Sequence, residues 1–290
     1  MATSERRPAD AGTLYVVATP LGNLRDVSLR ALDVLATVGV IAAEDTRVSS
    51  RLLASHGIAA RLVSLHEHNE ARRAPEIVAL LAQGESVALV SDAGTPAVSD
   101  PGALLVRSAI EAGFAVVPVP GPSAAATALS ASGIDAPHWL FYGFLPASAA
   151  ARRAALERLS GFPFALVFYE APHRIVAAVA ALLAAFGAER ELVIARELTK
   201  RFESIHRCRL GDAPAWLAAD ADRVRGEFVL IVGAPGTGPK PDPAAQERVL
   251  SVLLSELPLA QAVRLAAALT GAPRKALYAR ALELSRPSGR

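Results

Sequence analysis

"SVALVSDAGTPAVSDPGALLVRSAIEAG", residues 86–113, runs from an apolar, β-branched stretch through a broken loop into a helical pattern. The stretch at 86–92 is apolar on consecutive positions, as a strand buried on both faces is. From 102 to 113 the apolar residues recur at three- and four-residue spacing and stop at Gly113, where a helix closes readily. Strand, loop and helix in that order form the repeating unit of a parallel sheet. The loop between them holds Asp92, Gly94-Thr95-Pro96 and Asp100-Pro101-Gly102, two carboxylates set among residues that interrupt regular structure.

The unit recurs on both sides of this stretch. "LYVVAT" (14–19), "VGVIAAE" (38–44) and "FAVVPVP" (114–120) read as strands. "SLRALDVLATV", "SSRLLASHG" and "APEIVALLAQG" read as the helices, the last two running into Gly57 and Gly84. The pattern pauses at "SGIDAPHWLFYGFLP" and resumes with strands "FALVFYE" (164–170), "ELVIARE" (191–197) and "EFVLIVG" (227–233), separated by "APHRIVAAVAALLAAFG" and "DAPAWLAADA". The expected organisation is a disordered tail at 1–12, an N-terminal α/β domain at 13–130 and a second, smaller α/β domain at 131–234. A Pro/Gly-rich linker follows at 235–245, then a helical tail at 246–290. In that tail "LPLAQAVRLAAALTG" and "APRKALYARALEL" are two amphipathic helices at helix-turn-helix spacing.

Composition narrows the class. The chain has 290 residues, 52% of them apolar and 20% charged, which excludes wholesale disorder. Lys and Arg number 30 against 28 Asp and Glu, a net charge of +2, so any nucleic-acid footprint must be local. Cys208 is the sole cysteine, which rules out an intrachain disulfide and fits a reducing compartment. The richest apolar run, at 175–187, is Ala-heavy and too short to span a bilayer. "MATSERRPADAG" carries no apolar segment of signal-peptide length, and a cytoplasmic protein is expected.

Two familiar phosphate loops are excluded. "GAPGTGPK" (233–240) half resembles a Walker A loop, but Pro239 precedes Lys240 where Gly is needed. No G-x-G-x-x-G follows any strand. What remains is a set of loops at strand ends. "ATPLGNLRDVS" (18–28) makes a tight turn at Pro20 and Gly22, and Ser28 is placed to cap a helix. In the opening stretch Asp92 is expected to serve a ligand, Gly94 to let backbone approach it and Thr95 to offer a hydroxyl, with Asp100 capping the helix at 102. "VPGPSAAATAL" (119–129) opens a helix at Ser123, whose free N–H groups can receive a carboxylate or hydroxyl. In an open α/β sheet ligands sit beyond the carboxyl ends of the strands, so the three loops together outline a pocket for a small charged ligand.

"LYVVATPLGNLRD", "AAEDTR", "LHEHN", "LVSDAGTPAVSDPG", "VPGPSAAATALSASG", "GFLP", "FYEAPHR", "ARELTKRFE" and "GEFVLIV" resemble, in order, the bacterial 16S ribosomal RNA 2′-O-ribose cytidine methyltransferases, a branch of the tetrapyrrole methylase superfamily. The resemblance runs from about residue 13 to 284. It implies two α/β domains of the tetrapyrrole methylase type with a cleft between them, a small C-terminal helical domain, a homodimer, and S-adenosylmethionine bound in the cleft. Carried over by position, Pro20, Leu21, Gly22, Asn23, Asp92, Ala93, Gly94, Thr95, Ser123, Ala124, Tyr169 and the end of the "FVLIV" strand would line the donor pocket.

A ribose hydroxyl is a poor nucleophile near neutral pH, and a base or hydroxyl orienter should assist it. Glu170 is the first candidate, followed by His66 and Glu197. His66 and His68 share a strand face as an H-x-H pair but lack a third ligand, so no metal is expected. Ribosomal RNA would be held by Arg25, Arg47, Arg51, His173, Arg174, Lys200 and Arg201 around the cleft, and by Arg274 and Lys275 in the tail. The alternatives are a small-molecule, tetrapyrrole-like methylase and a non-catalytic RNA-binding assembly factor.

Overall fold

A computed structural model of the chain describes residues 9–235 and 243–284. Residues 1–8 of the expected tail at 1–12 and the central part of the linker, 236–242, lie outside the described residues; residues 9–12 are held to the fold, the Asp10 amide donating to the Tyr15 hydroxyl at 2.9 Å and the Gly12 amide to the Gly84 carbonyl at 3.3 Å. The chain divides into two compact units after Ala234.

The first unit holds two five-stranded sheets. In the first sheet β1 (Thr13–Val17), β2 (Val40–Ala43), β3 (Arg61–Ser64), β4 (Val87–Val90) and β5 (Ala115–Val119) lie in the order β3-β2-β4-β1-β5, every pair parallel. The crossovers are α1 (Leu29–Thr37), α2 (Thr46–Ser55), α3 (Glu70–Ala82) and α4 (Ala103–Glu111). Leu35 and Leu53 of α1 and α2 pack on one face with Val17 and Ile41, while Ile77 and Leu105 of α3 and α4 pack on the other with Leu14 and Leu89. That two-sided burial is why β2 and β4 are apolar at every position. Ser28 caps α1 by accepting from the Ala31 amide at 3.1 Å, and Gly57, Gly84 and Gly113 follow α2, α3 and α4 with positive φ.

The second sheet differs from expectation. β6 (Trp139–Phe144), β7 (Ala165–Glu170), β8 (Glu191–Arg196), β9 (Ser204–Arg209) and β10 (Phe228–Val232) lie in the order β6-β7-β10-β8-β9. Only β6 and β7 are parallel; the other pairs are antiparallel. It has five strands, as the first sheet does. One face carries α6 (Ala149–Leu159), α7 (Ile175–Phe186) and α8 (Ala213–Ala218). The other face receives α5 (Ala124–Ser130), whose Ala125 and Ala128 sit against Val167, Val193 and Val229. By packing, then, α5 joins the second sheet although its sequence falls within the first expected domain.

The second unit holds three helices where two were expected: α9 (Pro243–Glu256), α10 (Leu259–Thr270) and α11 (Arg274–Leu284). α9 begins inside the expected linker. Leu250, Val263, Ala266 and Leu277 form its small core, and Arg280 bridges Glu247 of α9 and Glu283.

Candidate functional site

The carboxyl ends of β1, β2, β4 and β5 meet as four loops tied by hydrogen bonds. Thr19 and Gly94 exchange backbone bonds of 2.8 and 3.0 Å, joining the loops after β1 and β4. Thr95 Oγ1 donates to the Pro122 carbonyl at 3.0 Å, adding the loop after β5. The Asp45 amide donates to Asp92 Oδ1 at 2.9 Å, and the Asp92 amide to Glu44 Oε2 at 3.3 Å, adding the loop after β2. Pairing between neighbouring parallel strands brings these loops together.

They form one wall of a cavity of about 350 Å³. The first-sheet loops contribute Leu21, Glu44, Asp92, Ala93, Gly94, Thr95 and Asp100; Ser123 and Ala124 come from the start of α5. The second sheet contributes Phe144, Tyr169, Glu170 and Glu227 among others. Of the expected donor-pocket residues, Leu21, Asp92, Ala93, Gly94, Thr95, Ser123, Ala124 and Tyr169 therefore come together, with Glu170 beside them.

Pro20, Gly22 and Asn23 do not line the cavity. Asn23 turns back to accept from the Arg25 amide, and Gly22 lies under the side chain of Lys200, where a Cβ would come 2.3 Å from Cγ. The end of the "FVLIV" strand points elsewhere. It is the start of β10, Phe228 and Val229, with Glu227 just before it, that reaches the cavity, because β10 runs antiparallel to β7 and its start lies beside the end of β7.

Five carboxylates line the cavity, from Glu44, Asp92, Asp100, Glu170 and Glu227, and no Lys or Arg does. Burial and the neighbouring carboxylate of Glu44 push Asp100 up to about 6. Glu44 and Asp92 are also raised, burial being the first cause for each. The expected capping role of Asp100 falls to another residue. Glu70 Oε1, projecting from the first turn of α3, accepts from the amides of Gly102, Leu104 and Leu105 at 3.0, 2.8 and 3.1 Å. That bond set satisfies the first turn of α4 and leaves Asp100 to the cavity.

Glu170 closes β7 and is 2% exposed. Its Oε1 accepts from the Ala171 amide at 2.9 Å and lies 3.2 Å from Arg174 Nε, while its Oε2 is buried with no hydrogen-bond partner. Tyr169 stands beside it, with its hydroxyl accepting from the Ala125 amide at 3.1 Å. One of the free N–H groups expected at the start of α5 is thus already taken by the protein.

Neither of the other two catalytic candidates lines the cavity. His66 sits in the turn after β3, not on a strand, and is tied to Asn69: its amide donates to Asn69 Oδ1 at 2.9 Å and its Nε2 meets Asn69 Nδ2 at 3.1 Å. Glu197, at φ 51°, accepts from Lys200 Nζ at 2.9 Å and from the Glu227 amide at 3.0 Å. Among the described residues no group of His, Cys, Asp and Glu is placed to hold a metal ion.

The expected cationic rim separates into two sets. Arg174 is internal, donating to the Leu145 and Pro146 carbonyls as well as meeting Glu170. Lys200 is held between Glu197 and Glu227. Arg25, Arg51, His173 and Arg201 are exposed, as are Arg274 and Lys275 at the start of α11. Arg47 is exposed but pairs with Asp45 at 2.6 Å.

Glu44, Asp100, Glu227 and Phe144 were not anticipated. Glu44 and Asp100 carried a signal, since each lies in a loop that follows an apolar strand, as Asp92 does.

Comparison with known proteins places this arrangement. Residues 13–214 match the family described as Tetrapyrrole (Corrin/Porphyrin) Methylases, and residues 240–285 match the RsmI C-terminal HTH domain. The chain is 48% identical over 272 residues to ribosomal RNA small subunit methyltransferase I of Escherichia coli O157:H7, covering 94% of this chain and 95% of that one. It is 49% identical over 276 residues to the protein of the same name from Pseudomonas aeruginosa, covering 94% and 98%. Among solved structures, uroporphyrin-III-C-methyltransferase from Thermus thermophilus shares the fold, with a TM-score of 0.56 and 23% identity over 77% of this chain and 94% of that one. A structure of that enzyme complexed with S-adenosyl homocysteine gives a TM-score of 0.55 at 19% identity, over 76% and 97%. The chain belongs to the tetrapyrrole methylase family, in the branch formed by the ribosomal RNA small subunit methyltransferase I proteins.

Proposed function

We propose that this chain transfers a methyl group from S-adenosylmethionine to the ribose 2′-hydroxyl of a cytidine in small-subunit ribosomal RNA. The observation that carries the reading is the charge of the cavity: Glu44, Asp92 and Asp100 line its first-sheet side with no Lys or Arg among the lining residues, whereas Glu170 and Glu227 are paired with Arg174 and Lys200. A sulfonium donor with an ammonium group is drawn to such a site, whereas a nucleoside polyphosphate is repelled. The size agrees, since about 350 Å³ lies within the ~300–1,000 Å³ usual for small-molecule sites. An unpartnered buried oxygen, Oε2 of Glu170, offers an acceptor for a hydroxyl proton.

Bound there, S-adenosylmethionine supplies a methyl group already activated by the sulfonium charge. The protein's residues align the reactants and keep water out. Glu44, Asp92 and Asp100 offset positive charge on the first-sheet side. Gly94, at φ +84°, brings backbone close to the ligand, in a conformation that a Cβ would strain. Arg174 and the Ala171 amide fix one oxygen of Glu170 and leave the other, enclosed beside the cavity, without a hydrogen-bond partner. Glu170 would take up the proton that the ribose hydroxyl gives up on methylation.

Arg25, Arg51, His173 and Arg201, with Arg274 and Lys275 of the helical unit, are assigned to RNA phosphates. Among the described residues no helix is long and apolar enough to cross a membrane. A homodimer in the cytoplasm, where small subunits are assembled, completes the proposal. Incubating the protein with unmethylated small subunits and labelled donor, then mapping the label by nuclease digestion, tests it. Absence of label, or label on a base rather than a ribose, defeats it.

A further inference from the structure

Phe144 is half-exposed at 49%, yet it lines the cavity. Its position follows from an irregularity in β6. Phe141 pairs with Val167, Gly143 with Phe168 and Phe144 with Tyr169, so the register shifts between Phe141 and Gly143 and Tyr142 is the extra residue. In a regular strand Phe141 and Phe144 would face opposite sides. The bulge puts both on the side of Tyr169, whose ring they meet edge-on with centroids 4.8 and 5.7 Å away. Tyr142, displaced to the other side, tilts against Phe168.

Gly143 makes the bulge possible: its φ is +81°, and a Cβ there would come 2.8 Å from Ser99 Oγ. The loop that carries Asp92 and Asp100 therefore closes directly against the bulge. Tyr169 is itself anchored through its hydroxyl to the Ala125 amide. Phe144 is thus an aromatic ring backed by a fixed aromatic neighbour and open to solvent at the cavity's edge.

We infer that Phe144 is the stacking platform for the nucleobase of the nucleotide being methylated, which leaves the RNA stack to reach it. The inference rests on the reading of the chain as a ribosomal RNA methyltransferase. The cavity has room for one small molecule, so the donor fills it and the acceptor's base must rest at the rim. A ribose oxygen can approach a methyl group enclosed between two sheets only if its nucleotide is drawn out of its neighbours. An extruded base loses its stacking partners, and an exposed aromatic face at the point of entry replaces them irrespective of base identity.

The test compares wild type, Phe144→Leu and Phe144→Trp, using unmethylated small ribosomal subunits and labelled S-adenosylmethionine, with donor affinity measured by calorimetry. Phe144→Leu is expected to raise KM for the subunit about ten- to a hundredfold, the range that base–aromatic stacking spans, with kcat and donor Kd close to wild type. Phe144→Trp is expected to restore KM, which separates stacking from mere filling of space. An unchanged KM in the Leu variant overturns the inference, as does a donor Kd that rises in step with KM, because the ring would then serve the donor. If wild type itself transfers no methyl to the subunit while still binding the donor, it is the assignment of the substrate that has failed, and this inference falls with it.

Discussion

The carboxylate of Glu170 is divided between two tasks: one oxygen lies 3.2 Å from Arg174 Nε, and the other is buried without a partner. Glu170→Gln preserves the shape while removing the charge and the proton acceptor. A fall in kcat of about a hundredfold or more is expected, with donor Kd unchanged. Single-turnover methyl transfer measures it, and a rate within threefold or so of wild type would remove Glu170 from the chemistry.

Arg174 was expected to face RNA, but it is engaged inside the protein. Arg174→Ala leaves a carboxylate with a fully buried side chain unpaired, and about 3 kcal/mol of stability should be lost, read by urea unfolding. Arg51→Glu, at an exposed position of α2, should instead leave stability unchanged, weaken RNA binding and reduce its salt dependence. Equal destabilisation by the two variants would contradict this division.

Asp100 is expected to make both folding and donor binding depend on pH. Its folded value, about 6, stands above its unfolded reference of 3.8, so protonation favours the folded state. That contribution is complete below about 4 and is lost as pH rises through about 6. Asp100→Asn should match wild type near pH 4 and exceed it in stability at pH 7. A cationic donor favours the ionised form, so its affinity should rise between pH 5 and 7 in wild type and change less in Asp100→Asn. Calorimetry at the two pH values decides, and equal slopes in the two proteins would detach Asp100 from the donor.

Glu70 supports the cavity without lining it. Its single oxygen Oε1 satisfies three amides at the start of α4, just beyond the loop that carries Asp92 and Asp100. Glu70→Ala should cost about 1–2 kcal/mol, the usual loss for a helix cap, and should weaken donor binding as the loop loosens. Thermal unfolding and calorimetry measure both, and a loss of stability with donor affinity intact would confine Glu70 to the helix.

The strands that were legible in the sequence are mostly those buried on both faces, such as β4 and β10, because continuous apolar runs are what two-sided burial requires. The three that escaped notice, β3, β6 and β9, all lie at sheet edges. Edge strands face solvent along one side and tolerate polar residues, so "SIHRCR" presents no apolar run, and the Gly143 bulge interrupts the pattern of "WLFYGF". Among site residues, Glu44 and Asp100 followed the same strand-end logic as Asp92, whereas Phe144 depended on a register shift that no residue spacing reveals.

By itself the sequence determined the alternation of strand and helix, the loops at the carboxyl ends of the first-sheet strands and the helical tail, since these follow from local periodicity and from turn residues. Only the tertiary structure decided that Arg174 and Lys200 are held by neighbouring carboxylates and carbonyls, that Glu70 rather than Asp100 caps α4, and that β10 offers its start to the cavity. Those outcomes depend on strand direction and on partners distant along the chain, and a charged side chain's role is set by which opposite charge or open amide folding brings within reach.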